Sequence, residues 1–172
     1  MESRIDHPAL TVKGAMEALQ RLEKATKRAG VPEATFELLK LRAGQINGCS
    51  GCVDLHSRAL RAMGESDERI AMVAAWREAS YFTDAERAVL ALTEAATRLA
   101  DRPDPVSDEV WDEAARHYDE AQLASIVLSI ASINAWNRLN VATRQITGEW
   151  IAEYLEPKPA DAVASRGSAA FG

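Results

Sequence analysis

From Leu123 to Trp136 the chain carries aliphatic, small or aromatic side chains on nearly every side of a helical projection, which calls for a helix buried at the centre of a bundle or an oligomer. A helix of that kind dictates its surroundings, because its neighbours must offer it apolar stripes. The rest of the chain complies: each periodic segment repeats at the helical interval, and no run keeps the two-residue alternation of a strand. The predicted class is all-α, with about seven helices. Ser125, Ser129 and Ser132 follow i, i+4, i+7 along the long helix and would let a neighbouring helix approach closely.

Punctuation places the other elements. A first helix is expected over Pro8 to Ala29, stopped by Gly30, and a second from Val31-Pro32 to Asn47, ended by a left-handed cap at Gly48. A third starts near Cys49 or Ser50 and ends at Met63-Gly64, and Ser66 or Asp67 opens a fourth, to about Ala79. Thr83-Asp84-Ala85-Glu86 is a capping-box sequence opening a fifth helix through Leu99. After the break at 101–105, Ser107 caps a short sixth to about His117, and Asp119 begins the longest, to about Thr147, with a further turn at Trp150 to Leu155. At 172 residues this is one domain by length, expected over 1–156. Residues 157–172 are rich in Ala, Ser, Gly and Pro and read as a disordered tail.

Charge and patterning exclude several functions. Twenty Lys and Arg against 26 Asp and Glu give a net charge of −6, and no basic stripe offers a footprint for nucleic acid. The apolar runs are too short to span a bilayer, and Met1 to Lys13 has no signal-peptide core. The chain therefore reads as cytoplasmic. Its only two cysteines are three residues apart, too few for a secreted disulfide framework and suited to redox chemistry or a metal.

Those cysteines head the densest reactive stretch, Cys49-x-x-Cys52-x-x-x-His56. At about 100° per residue the three fall within roughly 60° of one helix face. Cys52 and His56 are i, i+4 neighbours, with Cβ atoms about 5–6 Å apart. The first turn of a helix favours the thiolate, which is the attacking species. Dipole proximity favours Cys49 as the attacker and adjacency to His56 favours Cys52; a specific base within hydrogen-bond reach outweighs a partial charge felt by both sulfurs. The other cysteine then resolves the oxidised one as a disulfide. Glu37, in an otherwise apolar helical pattern, could fix the tautomer of His56. In a straight hairpin about Gly48, however, it falls about 6 Å, one turn, out of register.

Taken together, Glu37, Cys49, Cys52 and His56 follow the pattern E-x11-C-x-x-C-x-x-x-H, and the chain resembles the AhpD-like alkylhydroperoxidases of the carboxymuconolactone decarboxylase superfamily. The likeness extends through Trp76-Arg77, Phe82 to Arg87 and Ile133 to Arg138. It implies an AhpD-like helical fold, a homo-oligomer (trimer or hexamer), and reduction of alkyl hydroperoxides without metal, flavin or other cofactor. A disulfide cycle of this kind would need a dithiol protein as reductant. By position, Cys52 would be the peroxidatic thiol, Cys49 the resolving one, and Glu37 with His56 the proton relay. Some members carry a histidine between the cysteines, where this chain has Gly51, so one relay group is missing.

Plainer readings stand beside this one. The cysteines could be buried structural thiols, or ligands with His56 and Glu37 of a zinc ion, although three ligands on one regular helix face would strain a tetrahedron. A decarboxylase-type reaction would not need the thiols, and a redox-sensing or disulfide-exchanging oligomer would use them without turnover of peroxide. His7 and His117 read as ordinary terminal or surface residues. Trp76, Trp111, Trp136 and Trp150 read as core or interface anchors. Asn134, Asn137, Arg138 and Asn140 form a polar stripe that suits a subunit interface better than a pocket, and the Glu and Arg residues from Glu65 to Arg102 read as solvated faces.

Overall fold

The structure, a computed structural model, describes residues 2–100 and 102–148. Among them it holds eight α-helices and no strand: α1 Pro8–Thr11, α2 Ala15–Thr26, α3 Glu33–Asn47, α4 Ser50–Ala62, α5 Asp67–Met72, α6 Asp84–Thr97, α7 Asp108–Ala115 and α8 Glu120–Thr143. Short 3₁₀ turns follow α2 and α5. The all-α expectation holds. The turn expected at Trp150 to Leu155 and the tail 157–172 lie outside the described residues.

Local chemistry explains where the helices begin and end. Thr83 and Glu86 close a reciprocal capping box on α6, and Asp119 and Gln122 do the same on α8. Each such cap contributes about 1 kcal/mol. Gly48 ends α3 in the left-handed region at φ 67°, which a glycine adopts without a Cβ clash. Three boundaries differ from expectation. The fourth helix, expected to about Ala79, ends at Met72 and gives way to a 3₁₀ turn over Val73–Ala75. The first helix is divided, because the chain leaves the helix at Val12 and Gly14 restarts it at φ 83°. The last helix stops at Thr143, where Arg144 takes φ 56°, four residues short of the expected end.

The core is arranged around α3. Thr35 through Leu41 are seven consecutive buried residues, so this helix is enclosed on every side. Phe36, Leu39 and Ala43 pack into an apolar cluster with Val89, Leu92, Ile126, Ile130 and Ile133 from α6 and α8. Leu38 and Leu41 pack into a second, with Leu60, Ile70, Val73, Trp76 and Leu90. The sequence hides this burial because Glu37 and Lys40 interrupt the apolar run; both are buried and paired. The long α8 lies against α2, α3 and α6 as its composition requires, and one side of it leaves Val127 and Leu128 exposed. The serine stripe faces inward: Ser125, Ser129 and Ser132 are buried, and the Ser125 hydroxyl donates to the Thr26 carbonyl at the end of α2.

The reading of residues 65–102 as solvated faces needs correction. Glu94 of α6 is buried and takes hydrogen bonds from Trp76 Nε1 (2.9 Å), Arg42 Nε (2.8 Å), Arg77 (2.6 Å) and Arg98 (3.2 Å). Charged residues can occupy a core where partners from several segments converge on them, which spacing along one helix cannot reveal.

Candidate active site

α3 and α4 form a hairpin about Gly48, and Gly44 of α3 faces the first turn of α4 at close range. A Cβ placed on Gly44 would stand 3.3 Å from the Cys52 Cβ. That close approach draws the upstream part of α3 onto the His56 face of α4. His56 Nδ1 and Glu37 Oε2 are 2.7 Å apart, both side chains buried. The one-turn offset of a straight hairpin is thus closed by the helix approach at Gly44 and the reach of two long side chains.

Glu37 is further held by Lys40, whose Nζ lies 3.0 Å from Oε1 and 2.7 Å from Glu23 on α2. Burial alone would push the Glu37 carboxyl up. The hydrogen bond and charge of His56, and those of Lys40, outweigh it and hold the group down to about 2. Burial likewise disfavours the Lys40 ammonium, but Glu37 and Glu23 reverse that and raise it above its usual range. Glu37 is therefore a fixed anion that can only accept hydrogen bonds. His56 Nδ1 must carry the hydrogen between them, and Nε2 is the nitrogen left for proton transfer.

The two cysteines sit at the start of α4. Cys49 is the N-cap residue, and its sulfur accepts a hydrogen bond from the Cys52 backbone N–H at 3.3 Å. Both are buried and joined as a disulfide, with Cα atoms 5.3 Å apart. Asn140, from the far end of α8, directs Nδ2 at both sulfurs, 3.4 Å from Cys52 and 3.6 Å from Cys49. His7 Nε2 lies 3.0 Å from the Asn140 Oδ1, and the His7 ring packs against Trp136 with centroids 5.7 Å apart.

Cys52, His56 and Asn140 open onto a cavity of about 580 Å³. Leu10, Met16, Leu55, Ile133 and Trp136 give it apolar walls, and Glu23 and Lys40 lie at its charged side. Among the described residues, no three His, Cys, Asp or Glu side chains are placed to hold a metal ion together. No helix there is long and apolar enough to cross a membrane.

The four residues singled out from the sequence, Glu37, Cys49, Cys52 and His56, thus come together. His7 and Asn140 were assigned other places by sequence reasoning. His7 read as a terminal surface residue and lines the cavity; Asn140 read as part of an interface stripe and meets the sulfurs. Asn134 and Asn137 behave differently from Asn140: both accept from Asn47 Nδ2, at 3.0 and 2.8 Å, and tie α3 to α8. Of the tryptophans, Trp76 is buried, Trp136 lines the cavity, Trp111 is 41% exposed, and Trp150 lies outside the described residues. Nothing in the sequence near His7 could have signalled its neighbour 133 residues away.

Comparison with known proteins places this geometry. The model of the carboxymuconolactone decarboxylase family matches residues 13–95, a span that contains Glu37, both cysteines and His56. An uncharacterized protein of Bacillus subtilis, YdfG, is 37% identical over 142 residues, covering 83% of this chain and 95% of that protein. The structure of a protein of unknown function from Agrobacterium tumefaciens, assigned provisionally to AhpD antioxidant defence, superposes with a TM-score of 0.79 at 32% identity; the match covers 86% of this chain and 99% of that one. A shorter likeness joins the chain to the alkyl hydroperoxide reductase AhpD of Bradyrhizobium diazoefficiens, 49% identical over 41 residues, or 24% of this chain and 22% of that protein.

Proposed function

This chain belongs to the carboxymuconolactone decarboxylase family, and from that premise we propose that it is a thiol peroxidase which reduces alkyl hydroperoxides through its Cys49–Cys52 pair. The observation that carries the reading is the buried Glu37–His56 contact at 2.7 Å, in the same site as a redox-capable thiol pair that borders an apolar cavity. A fixed carboxylate behind an imidazole, with the other ring nitrogen free, is the arrangement a general base needs.

In the proposed cycle His56 Nε2 takes the proton of the Cys52 thiol. The thiolate attacks the distal oxygen of the hydroperoxide, forming the S–O bond as the O–O bond breaks, and the alkoxide leaves with the proton held on His56. Cys52 is then a sulfenic acid. The Cys49 sulfur displaces its hydroxyl, which departs as water with the Cys49 proton, and the disulfide forms. An external dithiol reduces that disulfide and is itself oxidised, so each turnover converts one hydroperoxide and one dithiol into an alcohol, water and a disulfide. The apolar walls of Leu10, Leu55, Ile133 and Trp136 suit a substrate with a hydrocarbon body.

The test is consumption of cumene hydroperoxide by the purified full chain with dithiothreitol as reductant. Turnover should be abolished in Cys52→Ser. Absence of consumption above the protein-free rate, or undiminished turnover in that variant, sinks the reading. The cysteine-independent decarboxylase reading predicts an activity that survives alkylation of both thiols.

A further inference from the structure

The polar contact on the sulfurs from α8 lies outside the residues matched by the family model, 13–95, as does the histidine behind it. Asn140 presents one end of its amide to Cys52 and Cys49 and the other to His7. Which end faces which is decided at His7. The Ala9 backbone N–H lies 3.1 Å from His7 Nδ1 and can only donate, so Nδ1 is the unprotonated nitrogen of a neutral ring. Nε2 then carries the hydrogen and needs an acceptor, which makes the Asn140 atom facing it the oxygen. The NH₂ end is left pointing at the sulfurs.

The segment that carries His7 is secured independently. The Arg4 backbone N–H donates to the Thr143 carbonyl at 2.9 Å, Arg4 donates to the Ala142 carbonyl at 3.0 Å, and Gln145 donates to the Ile5 carbonyl at 3.1 Å. The N-terminal strap is therefore pinned to the end of α8, and with the Trp136 contact it holds the imidazole in place over Asn140.

We propose that Asn140 is a further catalytic residue, donating a hydrogen bond to the Cys52 thiolate, and that His7 is the positioning residue that turns its amide toward the sulfur. The inference rests on the redox reading of the pair. A donor aimed at sulfur favours the thiolate over the thiol and readies Cys52 for attack. It serves the return step as well. When an external dithiolate attacks one sulfur of the disulfide, a new S–S bond forms to it, the Cys49–Cys52 bond breaks, and the other sulfur leaves with the electron pair. Asn140 reaches either sulfur as that charge develops.

The measurement is the pH profile of iodoacetamide alkylation at Cys52 in the reduced full chain, located by peptide mass. The charged groups around the pair, Glu23, Glu37, Lys40 and His56, stay the same in every variant, so a change reports the amide. Asn140→Ala should move the profile up by about one pH unit and slow alkylation roughly tenfold below its midpoint, the size of one hydrogen bond to a charged group. Asn140→Asp, which keeps the shape and replaces the donor by an anion, should slow it more and carries the test if the alanine variant does not fold. His7→Gln retains a donor at the Nε2 position and should alkylate like the parent. His7→Asn retains only the acceptor for the Ala9 N–H and should follow Asn140→Ala. An unchanged profile in the Asn140 variants overturns the proposal. So does parental behaviour in His7→Asn with loss in His7→Gln, which would make His7 a helix cap and nothing more. Alkylation needs no peroxide. A protein that alkylates as predicted but consumes no hydroperoxide breaks the peroxidase reading and leaves the Asn140 assignment standing.

Discussion

Two buried carboxylates, Glu37 on α3 and Glu94 on the neighbouring α6, are alike by acidity alone: each is held down to about 2. For both, burial pushes upward and hydrogen bonds from cationic or N–H partners more than offset it. Their partners differ in kind. Glu94 is surrounded by Trp76, Arg42, Arg77 and Arg98, groups that keep their protons throughout the accessible pH range. Glu37 is hydrogen-bonded to His56, the one side chain in either cluster whose ring can both donate and accept, and His56 borders the cavity with Cys52. A perturbed carboxylate therefore marks a candidate site only when its partner can change state. The Glu94 cluster is a clasp between α3, α6 and the Trp76 segment; the Glu37 cluster is the one proposed above to relay a proton.

The sharpest way to break that contrast is to neutralise each carboxylate without changing its shape. Glu37→Gln should lower hydroperoxide turnover by about a hundredfold or more, the usual contribution of positioned acid–base chemistry, while Glu94→Gln should leave the turnover of folded molecules within about twofold. Equal losses in steady-state assays normalised to folded protein would erase the distinction. Stability should rank the two in reverse. Glu94→Gln leaves Arg42, whose side chain is 13% exposed, with the neutral Gln45 in place of an ion pair, and should cost about 3 kcal/mol in urea unfolding. Arg77 and Arg98 are 59% and 40% exposed and return to water at little cost. Glu37→Gln leaves Lys40 its second partner, Glu23, and should cost less.

Acid titration tests what the clusters share. Both carboxyls sit at about 2 in the folded chain against a usual 4.5, so between those values the unfolded chain binds more protons than the folded one. Their contribution to stability is complete above about pH 4.5 and drains away as the pH falls toward 2. Unfolding free energies measured across that window should fall with decreasing pH, and each Gln variant should flatten the slope by up to one proton. The smallest expected effect is local to the proposed relay. Gly44→Ala gains about 1 kcal/mol of helix propensity and loses a similar amount where its Cβ crowds Cys52 at 3.3 Å, for little net change in melting temperature. Turnover should still drop several-fold as Cys52 shifts, whereas the same measurement on a Glu94-side substitution should show no such drop.

Legibility in the sequence followed distance along the chain. The capping boxes at Thr83 and Asp119 and the left-handed cap at Gly48 could be read directly, because they depend on residues within a turn of one another. The end of the first helix at Val12 could not, since a short helix is decided by what its His7 cap and Ala9 pack against. Glu37 stood out in an apolar pattern, but its pairing with Lys40, and that of Lys40 with Glu23 on another helix, could not be read from spacing. Glu94 was misread for the same reason.

The sequence by itself determined the helical class and the placement of Cys49, Cys52 and His56 at the start and along one face of α4, because the 3.6-residue repeat is a local property of the backbone. Only the tertiary structure decided which groups meet them. Glu37 reaches His56 where two helices approach at Gly44, and Asn140 reaches the sulfurs from α8 with His7, from the other end of the chain, behind it. Those contacts depend on crossing angle and register, which are set by how side chains from many segments fill one core and which no single stretch of residues encodes.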